Sequence, residues 1–117
     1  MKKKIVAVIL ATGVIAALSI TSLATFTFYH NYNSATRTET ARVTVSGGTY
    51  SCRAYARVED AANNYLGSAE NKKTISSGSC EASYHCVNVY GHHGYYELSA
   101  QNTSVSGDHG SASGRDY

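Results

Sequence analysis

Hydrophobic and polar positions follow two different patterns along this chain. From Ile5 to about Leu18 the residues form one strongly apolar stretch, which Ser19-Ile20-Thr21 then dilutes. Beyond Thr38 the pattern has period two, the signature of a strand with one buried and one wet face. In Thr38 to Ser46, Ala41, Val43 and Val45 alternate with Thr40, Arg42 and Thr44. In Tyr50 to Glu59, Tyr50, Cys52, Ala54, Ala56 and Val58 alternate with Ser51, Arg53, Tyr55, Arg57 and Glu59. Gly47-Gly48 between these two runs is a turn signal.

Further along, Asp60 to Asn64 reads as a turn, followed by a weak strand at Tyr65 to Ala69 that continues more loosely to Ile75. Ser76 to Ser79 reads as a loop. A hairpin with Gly91-His92-His93-Gly94 at its tip sets Tyr90 opposite Tyr95, Val89 opposite Tyr96 and Val87 opposite Leu98. Val87, Val89, Tyr96 and Leu98 then share one face, and Asn88 and Glu97 the other. Ala82 and Tyr84 fit the opposite parity, which a bulge at Tyr84 to Cys86 reconciles. Val105 ends a last strand, and the Gly/Ser-rich segment from about 106 to 117 is expected as a loose tail or short edge strand. The pattern predicts an all-β domain, a small antiparallel β-sandwich or open barrel of five or six short strands. An N-terminal hydrophobic signal helix precedes it.

Lys2, Lys3 and Lys4 before the apolar stretch, and the small residues Ser22 and Ala24 after it, complete the order of a secretory signal peptide. The expected organisation is therefore a signal peptide at 1–24, an extended lead-in or linker at 25–37, and a secreted β domain at 38–117. The alternative is an uncleaved anchor, because no Asp, Glu, Lys or Arg lies between Lys4 and Arg37. Residues 5–29 are long enough to cross a hydrocarbon core of roughly 30 Å. Without residues 1–24, seven basic side chains face eight acidic ones, a net charge of −1 in place of the whole chain's +2. Nucleic-acid binding thereby loses its electrostatic basis.

An exported chain makes its three cysteines, Cys52, Cys80 and Cys86, a disulfide question. On one continuous strand, Cys80 and Cys86 would stand roughly 20 Å apart, whereas a disulfide needs Cα atoms within about 7 Å. Cys52 is then one partner, paired with Cys80 or alternatively Cys86. The leftover thiol is a candidate for a disulfide-linked dimer.

The candidate chemistry is sparse. His92 and His93 neighbour each other at the expected hairpin tip, but adjacent turn residues rarely converge on one metal, and no Cys/His spacing matches a metal module. His85 and Cys86 are adjacent in sequence and so point to opposite strand faces, which separates a base from its nucleophile. No metal, cofactor or catalytic residues are assigned, and no enzyme activity is expected. Tyr is both a strand former and a frequent interface residue. This marks Tyr55, Tyr90 and Tyr95, with His92 and His93, as candidate binding residues. The expected function is a secreted, non-enzymatic binding or cell-surface-associated domain for an extracellular protein or glycan. The layout of signal peptide plus short Tyr/Gly/Ser-rich β domain also resembles small secreted bacteriocins of the lactococcin-like kind. No diagnostic motif of theirs matches here, and the Trp they display is absent. That resemblance implies an antimicrobial protein acting on neighbouring cells as the alternative.

Overall fold

The structure is a computed structural model that describes residues 25–117. The expected signal helix lies outside the described residues. Among the described residues seven strands, rather than the expected five or six, follow in chain order: β1 (Phe26–Asn33), β2 (Thr38–Val45), β3 (Tyr50–Glu59), β4 (Tyr65–Ile75), β5 (Gly78–His85), β6 (His93–Asn102) and β7 (His109–Asp116). They form two antiparallel sheets, one ordered β1-β2-β5 and the other β4-β3-β6-β7. Lettered in chain order, this is the Greek-key connectivity of immunoglobulin-type sandwiches, with the fourth strand joined to the third rather than the fifth. The connections β2–β3, β4–β5 and β5–β6 pass from one sheet to the other.

The alternation in β2 and β3 holds residue by residue. Ala41, Val43 and Val45 on β2, and Tyr50, Cys52, Ala54, Ala56 and Val58 on β3, are all buried. Five alanines (Ala41, Ala54, Ala56, Ala82 and Ala100) stand in the main cluster, so its centre is thin, and Phe26, Phe28 and Ile75 pack around it. Tyr50 closes one end. Its ring meets Phe26 edge-on at 5.2 Å, while its hydroxyl donates to Asp108 and accepts from Thr25 Oγ1 at 2.7 Å. A smaller cluster of Tyr32, Val58 and Cys86 closes the other end, with Leu66 and Tyr84 against it.

Several expectations are corrected. Residues 26–33 form β1, paired along its length with β2, and are not a linker. For the segment after 106 the edge-strand alternative holds, because 109–116 form β7 along β6 at the edge of its sheet. The hairpin tipped at residues 91–94 does not form. The strand β5 ends at His85 and lies in the other sheet, and the partners of β6 are β3 and β7. Val87 and Val89 are 79% and 75% exposed, so neither Tyr90–Tyr95 nor Val87–Leu98 is a cross-strand pair. The inward parity of Tyr96 and Leu98 and the outward parity of Glu97 do hold. They arise from pairing with β3, whose Ala54 and Ala56 stand opposite Leu98 and Tyr96. The register irregularity lies at Val58/Glu59, where β4 carries Leu66 as an extra residue, and not at Tyr84–Cys86.

The expected disulfide is absent. Cys52, Cys80 and Cys86 are all free and buried. Cys52 and Cys80 sit in the same cluster, but each thiol points at a backbone carbonyl: Cys52 at Tyr50 O (3.8 Å) and Cys80 at Asn71 O (3.3 Å). Burial, followed by the neighbouring Cys80, pushes the Cys52 thiol up to about 11, which keeps it a thiol rather than a reactive thiolate. Cys86, 1% exposed, does not present its sulfur to a second chain, so the expected disulfide-linked dimer has no accessible thiol there.

Candidate functional site

The period-two alternation gives the four-stranded sheet an outer face. Arg53, Tyr55, Arg57 and Glu59 on β3 share it with His93, Tyr95 and Glu97 on β6 and Ser111, Ser113 and Arg115 on β7. Glu70 on β4 stands beside Tyr55. Two rings lie at its centre: Tyr55 and Tyr95 meet edge to face, with centroids 6.3 Å apart. Guanidinium groups flank both. Arg53 lies 5.2 Å from the Tyr55 centroid, while Arg57 and Arg115 lie 5.5 Å and 5.6 Å from that of Tyr95. Such contacts fix an aromatic ring without covering it.

The polar groups of this face are tied together. Arg53 donates to Glu70 at 2.5 Å and to Glu97 at 2.7 Å, and the Tyr95 hydroxyl donates to the other Glu97 oxygen at 2.7 Å. The bonds from Arg53 and Tyr95 hold the Glu97 carboxyl below its ordinary value. At the end of the face, Glu59 has no exposed surface. Its Oε1 accepts from Arg115 at 2.8 Å and from His93 Nε2 at 3.0 Å, and Arg57 stands 2.8 Å from its Oε2. Burial alone would raise this carboxyl. The bonds to Arg115 and His93 and the charges of Arg57 and Arg115 outweigh burial and lower it.

A second polar cluster lies directly behind, between the sheets. Glu39 on β2 continues the inward parity of Ala41, Val43 and Val45 and has no exposed surface. It faces Asp116 on β7 and fills the space over Gly94. His30 on β1 stacks on Tyr96 at 3.7 Å, and its Nδ1 lies 2.7 Å from Asp116 Oδ1. Neither Glu39 oxygen, nor Asp116 Oδ2, has a donor partner among the described residues. Two ionised carboxylates cannot satisfy each other, whereas a protonated Glu39 can donate its O–H to Asp116. Burial, then the bond to Asp116 and its charge, pushes Glu39 up to about 10. A carboxyl pair sharing a proton can perform acid–base chemistry where substrate reaches it. Here Glu39 has no exposed surface, and the pair links β2 to β7.

Gly94 makes this arrangement possible. A Cβ at that position would overlap the Glu39 carboxyl. Gly94→Ala is therefore expected to destabilise the domain by about 1–3 kcal/mol, the usual cost of overpacking. Glu39→Ala in the same chain should recover part of that loss, as residues in contact couple. Strictly additive effects in urea melts of the two single variants and the double variant would refute this packing account.

Of the five residues singled out from the sequence, Tyr55 and Tyr95 come together at the centre of the outer face. His93 is not at a mobile tip. It is 1% exposed and bonded to Glu59 at the start of β6. His92 is exposed beside it, its ring 5.6 Å from that of His93 and its amide donating to Glu59 O. Tyr90 stands apart, on the loop between β5 and β6. Arg57, Glu59 and Arg115 were missed as members of the site, and Glu39 and Asp116 as a buried pair. The parity of Glu39 with Ala41 and Val43 was the one available sequence signal. Among the described residues, no group of three His, Cys, Asp or Glu side chains is arranged to hold a metal ion. No protein-family model, curated protein or solved structure matches this chain.

Proposed function

We propose that this chain is a secreted, non-enzymatic binding or cell-surface-associated domain, which meets an extracellular protein or glycan with the outer face of its four-stranded sheet. The observation that carries this reading is the interleaving of Tyr55 and Tyr95 with Arg53, Arg57 and Arg115. Tyr and Arg dominate recognition surfaces because a rigid amphipathic ring and a multivalent planar donor offer much contact area at little entropic cost. In this domain both rings are fixed by neighbouring guanidiniums, so their freedom is lost on folding rather than on binding. The serines of β7 beside Tyr95 leave room for a partner to reach the ring.

The chain beginning at Thr25 is expected to be retained on isolated cell envelopes or on an extracellular glycan array. Replacing both Tyr55 and Tyr95 by Ala should lower that retention about tenfold, a hot-spot-sized loss. Undiminished retention of a double variant that melts like the parent, or no retention of the parent on any such surface, would sink the proposal.

A further inference from the structure

The β1–β2, β3–β4 and β5–β6 connections emerge at one end of the sandwich. Thr25 enters at the other, where its carbonyl accepts from Ser46 N at 2.8 Å. Of the seven exposed large hydrophobic side chains among the described residues, five are at the three-connection end: Tyr65, Val87, Val89, Tyr90 and Tyr117. Val87, Val89 and Tyr90 crowd into four consecutive positions, each more than 70% exposed. Such a concentration needs a physical account, because scattered exposed apolar residues are normal but a cluster marks a contact surface.

These side chains are held outward. Tyr90 N donates to Asn88 Oδ1 at 2.9 Å, and Gly91 N donates to Asn88 O at 3.1 Å. At the foot of the loop, Cys86 N donates to Arg37 O at 2.9 Å, and Arg37 Nε donates back to Cys86 O at 3.2 Å. Cys86 itself is anchored in the apolar cluster with Val58 and Tyr32. The loop therefore cannot fold its valines back without breaking its own bonds.

We propose that this end docks on an anionic lipid surface, with Val87, Val89 and Tyr90 entering the interfacial zone of the bilayer. The size of the patch favours lipid over protein. The three side chains of this one loop expose on the order of 400 Å², about half of what one side of a standard protein interface requires. A bilayer accepts a small apolar loop without a matching surface, and the phenolic rings of Tyr90, Tyr65 and Tyr117 suit the headgroup level. Charge agrees. Arg37, half-buried at the foot of the tip, is the one Lys or Arg side chain of the three connections. The only side-chain carboxylate of the three connections, Asp60, is turned onto its own loop by bonds from Ala62 N, Asn64 N and Asn64 Nδ2. This contact is independent of the outer-face reading, because Tyr55 and Tyr95 lie on the sheet and not on the tip.

The chain has no Trp, so Tyr90→Trp supplies a clean reporter. In the chain beginning at Thr25, its emission should shift to the blue on adding phosphatidylglycerol vesicles. The parent should co-sediment with them about fivefold better than with phosphatidylcholine vesicles, as one basic side chain near the surface allows. The double change Val87→Asp with Val89→Asp should lower sedimentation at least tenfold while leaving the melting temperature unchanged, since neither valine packs in the core. The double change of Tyr55 and Tyr95 to Ala should leave it intact. A parent that does not sediment with either lipid, or an aspartate variant that sediments equally, overturns the proposal. So does a lipid-free dimer in sedimentation velocity that the aspartates dissolve, because the tip would then be covered by a second copy.

Discussion

Glu39→Gln is expected to stabilise the domain at neutral pH and to remove the fall in stability that Glu39 causes between about pH 4.5 and 10. The folded state holds the Glu39 carboxyl protonated up to about 10, whereas the unfolded chain releases that proton near the ordinary value of 4.5. The sign follows from proton counting. Above 4.5 the folded state binds the extra proton, so stability falls as pH rises, by about 1.4 kcal/mol per unit, until the folded carboxyl itself ionises. Glutamine presents an N–H to Asp116 in place of the O–H and has nothing to titrate. At about pH 7.5 the variant should therefore exceed the parent by about 2–4 kcal/mol, while near pH 4 the two should be alike. Urea melts across this range decide the matter. Parallel stability profiles for the two proteins would show that the Glu39–Asp116 pair does not share a proton.

Glu59→Gln should act in the opposite sense on both counts. The Glu59 carboxyl is lowered in the folded state, so its contribution is present above 4.5 and is lost as pH falls through the depressed value. Its removal leaves Arg57, Arg115 and the buried His93 without their shared anion. Stranding buried charge costs about 3–5 kcal/mol. Arg57 and Arg115 retain 27% and 37% side-chain exposure, so they can turn toward water and reduce the loss to about 2–3 kcal/mol. The acid limb of the stability profile should flatten in the variant. The Arg57 and Arg115 guanidiniums beside Tyr95 should also loosen, so binding through the outer face is expected to weaken along with stability. A variant as stable as the parent at about pH 7, with an unchanged acid limb, would show that the cluster contributes nothing net.

The two carboxyls thus pull the stability profile in contrary directions from opposite sides of one sheet. Their strands are shared. The His93-Gly94-Tyr95-Tyr96 segment of β6 and the Arg115-Asp116 pair of β7 each turn one residue to the outer cluster and the next to the inner one. Strand alternation is sufficient to build both sites from the same backbone.

Alternation is also the part of this protein that its sequence determined alone. The faces of β2 and β3, the inward Leu98 and Tyr96, the outward Glu97 and the all-β character all follow from a period that each residue's immediate neighbours reveal. The same reasoning brought Tyr55 and Tyr95 forward as surface rings. It did not identify Glu39 as buried, although Glu39 sits on the face of Ala41 and Val43, because a carboxyl there makes sense only once Asp116 and the bare Gly94 lie opposite. Strand partners were beyond local pattern. The segment from His85 to Leu98 matches itself as a hairpin, yet β6 gains more by pairing along all ten residues of β3, and the loop from Cys86 to His92 is left to carry its valines into solvent. Residues 26–33 and 109–116 likewise lack a strong alternation of their own. They become strands because Phe26 and Phe28, and the small inward residues of β7, complete a core that neighbouring strands have already shaped. Which sheet a strand joins depends on the sum of contacts along its whole length, and these come from residues distant in sequence. Only the tertiary structure decided them, together with the clusters at Glu39 and Glu59 that assemble where the strands end.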